Sequence, residues 1–223
     1  MELILYYITD HRQIGPEGQN SIEALLAHIK LAAQSGIDFI QVREKELSTR
    51  GLEKLVREAV RIVREYSQQG HPTRLLVNSR MDVAIAAGAD GVHLRADDLP
   101  ASEARTILSK AGIARPVVSV SCHTIEEVAA AEGHGADFAV YGPVFGKGAQ
   151  PGRGIEGLRA VCNRAHAASP KMPVLALGGI TLENAGQCIE AGAAGIAAIR
   201  LFQQKNVREA ALALRPEKTR KGM

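Results

Sequence analysis

Tryptophan is absent from the 223 residues, and phenylalanine and tyrosine make up only 4% of them. The core is therefore expected to be filled by Ala, Val, Ile and Leu, the usual packing of parallel strands covered by helices. Cysteine is scarce too: Cys122, Cys162 and Cys188 lie far apart and form no C-x-x-C pair. That argues against a disulfide framework or a zinc site and fits a reducing cytoplasm. No apolar run approaches the roughly 18 residues of a membrane span, and the first ten residues lack the basic start of a secretory leader. A strong charge of one sign is also missing. The net charge is +3, and the short C-terminal basic cluster of Lys218, Arg220 and Lys221 has no interleaved aromatics. Neither nucleic acid nor a membrane is an expected partner.

What the chain does have is an internal repeat. Gly36-Ile37-Asp38-Phe39-Ile40 is echoed by Gly88-Ala89-Asp90-Gly91-Val92, Gly135-Ala136-Asp137-Phe138-Ala139 and Gly192-Ala193-Ala194-Gly195-Ile196. Each reads as a helix-ending glycine followed at once by an apolar strand. The spacings of 52, 47 and 57 residues leave room for one more strand and helix between copies. Short apolar runs fill those places, giving eight strands near 3–8, 37–42, 73–77, 90–94, 116–121, 137–141, 173–177 and 194–199. Helical stripes run from Ser21 to Gln34 and from Leu52 to Tyr66, and Thr124 and Thr181 read as N-caps followed by acids. Strands alternating with helices imply parallel pairing. A single (β/α)8 TIM barrel over 1–215, followed by a basic tail at 216–223, is expected; a doubly wound open sheet shares the same alternation.

In such a barrel the reacting groups lie at the carboxyl ends of the strands. After the second strand, Gln41, Arg43 and Lys45 alternate and so share the barrel mouth, where two cations suit a polyphosphate; an ordinary surface cluster is the plainer reading. Gly178 and Gly179 follow strand seven, and Ile199 and Arg200 follow strand eight. There, glycine amides and the start of the next helix would cradle a phosphate, or the glycines would serve only a tight turn. Asp98 is a candidate Mg2+ ligand or a helix cap. His93 reads as a packed barrel residue. A Cys122–His123 pair is disfavoured because adjacent strand residues face opposite ways, which leaves His123 as a lone acid or base.

With these residues in place, the chain resembles the thiamine phosphate synthase family and its relatives, the thiazole tautomerases. The matching segments include Tyr7-Ile8-Thr9-Asp10, Gln41-Val42-Arg43-Glu44-Lys45, Leu76-Val77-Asn78, Gly88 to Leu94, Ser121-Cys122-His123-Thr124, Gly142-Pro143-Val144-Phe145 and Leu177-Gly178-Gly179-Ile180. The resemblance implies a transferase that joins a hydroxymethylpyrimidine diphosphate to a thiazole phosphate and releases pyrophosphate. It assigns Gln41, Arg43, Lys45 and Asn78 to the pyrimidine diphosphate, Asp98 to Mg2+ and Ser121 to the departing pyrophosphate. Gly178, Gly179, Ile199 and Arg200 take the positions that hold the thiazole phosphate. Arg43, Lys45, Ser121 and His123 are the candidate catalytic set.

Three departures accompany the resemblance. The usual Asn-Asp after strand three is Asn78-Ser79, the usual Gln before the acidic pair is Ala96, and the usual Thr-x-Thr-Lys is Lys147-Gly148-Ala149-Gln150. Lys147 or Arg153 would have to supply the missing phosphate grip. His123 and Gly152-Arg153-Gly154 resemble the tautomerase branch, which moves a proton on a carboxylated thiazole phosphate without metal. A relative that binds thiamine precursors without turnover is the third reading. A homo-oligomer is compatible with all three.

Overall fold

The glycines that open the repeat end helices, and they do so because each must turn left-handed. In a computed structural model describing residues 3–14, 21–68, 71–146, 151–167, 172–203 and 206–215, Gly36, Gly88, Gly135 and Gly192 have φ between 70° and 99°. That conformation is cheap only for glycine.

The strands that follow are β1 (Ile4–Ile8), β2 (Phe39–Val42), β3 (Arg74–Asn78), β4 (Gly91–Arg95), β5 (Val117–Cys122), β6 (Phe138–Tyr141), β7 (Val174–Leu177) and β8 (Gly195–Ala198). Each begins and ends within two residues of the expected span. All pair in parallel with their sequence neighbours, and β8 pairs with β1, so the sheet is a closed barrel, not an open one. The aspartate of the repeat has its own task. Asp38, Asp90 and Asp137 accept the N–H groups of Leu5, Leu75 and Val118 at 2.6, 2.8 and 2.7 Å, tying β2, β4 and β6 each to the start of a neighbour; before β8 the position is Ala194.

The helices are α1 (Ile22–Gln34), α2 (Thr49–Tyr66), α3 (Met81–Ala87), α4 (Ala101–Lys110), α5 (Ile125–Gly133), α6 (Gly154–Ala167), α7 (Ala185–Glu190), α8 (Arg200–Gln203) and α9 (Val207–Leu214). The Ser21 hydroxyl caps α1 at Ala24 N, and the Thr124 hydroxyl caps α5 at Glu127 N, the latter as expected. Helix α2 starts earlier than the apolar stripe because the Ser48 hydroxyl accepts from Gly51 N. Thr181 is not a cap. Its N–H donates to Asn184 Oδ1 at 2.8 Å within a turn, and α7 begins only at Ala185.

Between barrel and helices the core is mainly aliphatic, as the composition implies, with Tyr7, Tyr141 and Phe202 spread through it. The barrel interior is different: of the eight tyrosines and phenylalanines, Tyr6, Phe39 and Phe138 meet there, with Phe39 and Phe138 ring centres 4.8 Å apart. Rings fill a narrow interior whose wall is partly glycine. A Cβ at Gly91 would lie 1.8 Å from Val117 O, and one at Gly195 2.2 Å from Ile4 O. No helix among the described residues is long and apolar enough to cross a membrane. The basic segment 216–223 and Lys147 lie outside the described residues.

Candidate active site

The alternation in β2 and beyond sends Gln41, Arg43 and Lys45 to one side and Val42 and Glu44 to the other. The first three line a cavity of about 860 Å³ at the carboxyl ends of the strands, together with Asn78, Ser121 and His123. Gln41 is 1% exposed, and its Nε2 donates to Asn78 Oδ1 at 2.8 Å. Its Oε1 is a buried acceptor with no partner among the described residues. Unpartnered buried acceptors are rare enough to indicate a ligand or water donor. Neither Arg43 nor Lys45 has an ion pair among the described residues, so both positive charges are available to an anion.

Glu44, turned the other way, is buried in a brace. Thr9 Oγ1 donates to Glu44 Oε1 at 2.5 Å and accepts from Arg43 N at 3.0 Å. The His11 N–H donates to Glu44 Oε2 at 3.0 Å, and His11 Nδ1 lies 2.6 Å from the same oxygen. The loop after β1 thereby fixes the backbone that presents Arg43. On the cavity floor, buried His93 bonds Ser119 Oγ at 2.9 Å, the packed role expected of it, while also lining the cavity. Burial first, then the nearby Arg43 charge, holds its pKa down at about 3. The floor is therefore neutral.

On the next stretch of rim, Ser79 has φ 55° and its hydroxyl donates to Asp98 Oδ2 at 3.1 Å, an oxygen that also accepts Arg95 N at 2.8 Å. Asp98 caps no helix; Pro100 holds that position for α4. The described residues contain no cluster of three or more His, Cys, Asp or Glu that could hold a metal. Asp98 and Ser79 do not line the cavity themselves but directly follow Asp97 and Asn78, which do, and one carboxylate with a hydroxyl is a donor set that a hydrated Mg2+ shared with a substrate can use, since such ions need only one or two carboxylates beside phosphate oxygens. Asp98 and the Ser79 hydroxyl would be the protein's share.

Ser121 and His123 face the cavity, whereas Cys122 between them is buried in the outer core with its thiol pushed up to about 12 by burial. His123 Nδ1 lies 2.6 Å from Gly142 O, which fixes the ring and leaves Nε2 for other chemistry.

After β7 and β8 a second cavity of about 470 Å³ is lined by Gly178, Gly179, Ile199 and Arg200. Leu177 and Ile199 line both cavities, so the two adjoin. The glycines are obligatory: a Cβ on Gly178 would sit 2.5 Å from Pro143 Cβ, and one on Gly179 2.8 Å from Phe145 Cβ. The expected helix start after β7 is displaced into the Asn184 turn, whose amide donates to Gly179 O at 3.0 Å. Arg153 lines neither cavity; its N–H donates to Pro143 O at 2.8 Å.

The pattern of the family described as thiamine monophosphate synthase matches residues 5–202. The chain belongs to that family. A thiamine-phosphate synthase from Methanospirillum hungatei is 38% identical, covering 89% of each chain. One from Clostridium acetobutylicum is 34% identical over 87% of this chain and 84% of its own. The solved thiamine phosphate pyrophosphorylase from Pyrococcus furiosus is 34% identical, with TM-score 0.74 over 96% of this chain and 94% of its own. Membership puts the chain among the transferases of thiamine biosynthesis.

The sequence motifs of the thiamine monophosphate synthase family did not single out Arg95, Asp97 or Glu127, which also line the larger cavity. Continuing the alternation from His93 would have found Arg95. Nothing local marks the brace, since Thr9 and Glu44 are 35 residues apart in sequence.

Proposed function

We propose that this chain joins a hydroxymethylpyrimidine diphosphate to a thiazole phosphate and releases pyrophosphate. The observation that carries this reading is the pair of adjoining cavities, one with Arg43 and Lys45 unpaired in its wall and the other with Gly178 and Gly179 in its wall, which suits two anionic substrates meeting at Leu177 and Ile199. With Gln41 Nε2 bonded to Asn78 Oδ1, Gln41 Oε1 is left as an acceptor and the Asn78 amide as a donor, the pair of functions that an aminopyrimidine edge needs. Arg43 and Lys45 then neutralise the diphosphate as its bond to the pyrimidine methylene breaks, and the Ser121 hydroxyl donates to the leaving group. The Gly178-Gly179 amides and Arg200 hold the second substrate's phosphate. Asp98 and the Ser79 hydroxyl would hold a Mg2+ ion, which would supply further neutralisation of the leaving group. Purified protein given both precursors and Mg2+ is expected to release pyrophosphate and to stop on addition of EDTA; binding without any release overturns the reading.

A second reading has one observation in its favour. With Nδ1 committed to Gly142 O, His123 can take or give a proton through Nε2, as metal-free isomerisation of a carboxylated thiazole phosphate requires. EDTA-resistant turnover that disappears in His123→Ala marks this second chemistry.

A further inference from the structure

We infer that Arg95 is an additional ligand for the diphosphate, held on Asp97 until the anion displaces it. The inference rests on reading the larger cavity as a diphosphate site. Along β4, His93 points into the barrel, Leu94 packs outward, and Arg95 returns to the inner side one layer above His93. The register sets it opposite Ser121, on the wall of the cavity that Arg43 and Lys45 line.

The guanidinium is engaged by one partner. Arg95 Nε donates to Asp97 Oδ1 at 2.8 Å and Nη2 to Oδ2 at 2.5 Å. Both side chains are mostly in water, 64% and 71% exposed, so the pair is screened and contributes little. A phosphoryl group offers the same two-pronged geometry with more charge, and in exchange the carboxylate returns to solvent. The backbone of Arg95 does not need to move, because Asp98 Oδ2 holds its N–H at 2.8 Å.

Length selects the anion. Neighbouring strands are about 4.8 Å apart, which puts β2 and β4 roughly 10 Å from each other. Long side chains reaching inward from both close around a diphosphate, whereas one phosphate touches one side only.

The test is calorimetric titration of the full chain with inorganic pyrophosphate in the presence of Mg2+. Arg95→Gln is expected to weaken binding about tenfold and Arg95→Lys to recover only part, since an ammonium cannot make the fork. Asp97→Asn removes the competitor and is expected to tighten binding several-fold. Inorganic phosphate affinity should change less than twofold in Arg95→Gln, whose melting temperature should match the parent's because the side chain is exposed. Pyrophosphate affinity within twofold of the parent in Arg95→Gln overturns the inference. So does Asp97→Asn weakening binding as much as Arg95→Gln, for the pair would then be structural. A parent protein that binds no pyrophosphate overturns the diphosphate reading itself.

Discussion

From β2 to β5 the rim is walled by side chains, whereas after β7 and β8 it is walled largely by main chain. On the first side, Arg43 and Lys45 project from an alternating strand end whose backbone is braced by Thr9 and Glu44. On the second, Gly178 and Gly179 pack their α-carbons against Pro143 and Phe145 so closely that no side chain fits. The difference teaches what each half tolerates. Side-chain charge can be removed without disturbing the barrel, but the backbone cradle cannot be altered without moving its neighbours.

The largest effect is expected where that distinction is sharpest. Gly178 has φ 104°, and a methyl there would lie 2.6 Å from Pro143 Cα as well as 2.5 Å from its Cβ. Gly178→Ala should cost about 3 kcal/mol in strain and overpacking, a fall in melting temperature of roughly 10 °C, and lose most use of the thiazole phosphate. A thermal melt beside a substrate titration checks both. Normal melting with normal thiazole phosphate affinity would break the comparison.

Arg43→Gln probes the opposite half. Arg43 has no ion pair among the described residues, so removing it leaves no buried carboxylate stranded. A loss of about 100-fold in kcat/KM for the diphosphate substrate, with melting within about 2 °C of the parent, is the expected split. Steady-state kinetics and a melt on the same preparation measure it, and a large melting shift would mean that the side-chain wall is structural after all.

The same division explains what was readable in the sequence. The repeat exposed the even-numbered strands because glycine and, before β2, β4 and β6, aspartate have fixed tasks at the strand start, with Asp38, Asp90 and Asp137 all binding a neighbour's N–H. Closure was not readable: it depends on β8 meeting β1, and periodicity carries no information about that. Scarcity of aromatics implied the mainly aliphatic outer core but concealed the gathering of Tyr6, Phe39 and Phe138 inside the barrel. Gln41, Arg43 and Lys45 were legible because alternation is local, while the Thr9–Glu44 brace joins distant segments. Thr181 was misread as a cap because Asn184, three residues on, competes for the same turn.

A pH experiment sharpens the comparison by separating the neutral floor from the charged wall. Buried His93 has its pKa lowered from 6.5 to about 3, so between those values the unfolded chain binds more protons than the folded one. Stability is therefore fully present above about pH 6.5 and declines as pH falls toward 3. At pH 5 this group alone should have cost about 2 kcal/mol. His93→Gln, whose amide can still bond Ser119, should lose correspondingly less between pH 7 and 5 in denaturant titrations. Equal pH slopes for the two proteins would show that the proton load lies elsewhere.

The smallest effect is expected at Arg200, the one cation among the described residues that line the backbone-built side, where Glu183 also stands. Arg200 is exposed at the edge of the cradle and has no ion pair among the described residues. Water screens it, and the glycine amides do not depend on it for their geometry. Arg200→Ala should therefore weaken thiazole phosphate binding only about three- to tenfold, in a salt-dependent way, with melting unchanged. A 100-fold loss would instead mean that the second anion, like the first, is held chiefly by a side chain, and the contrast between the two halves of the rim would disappear.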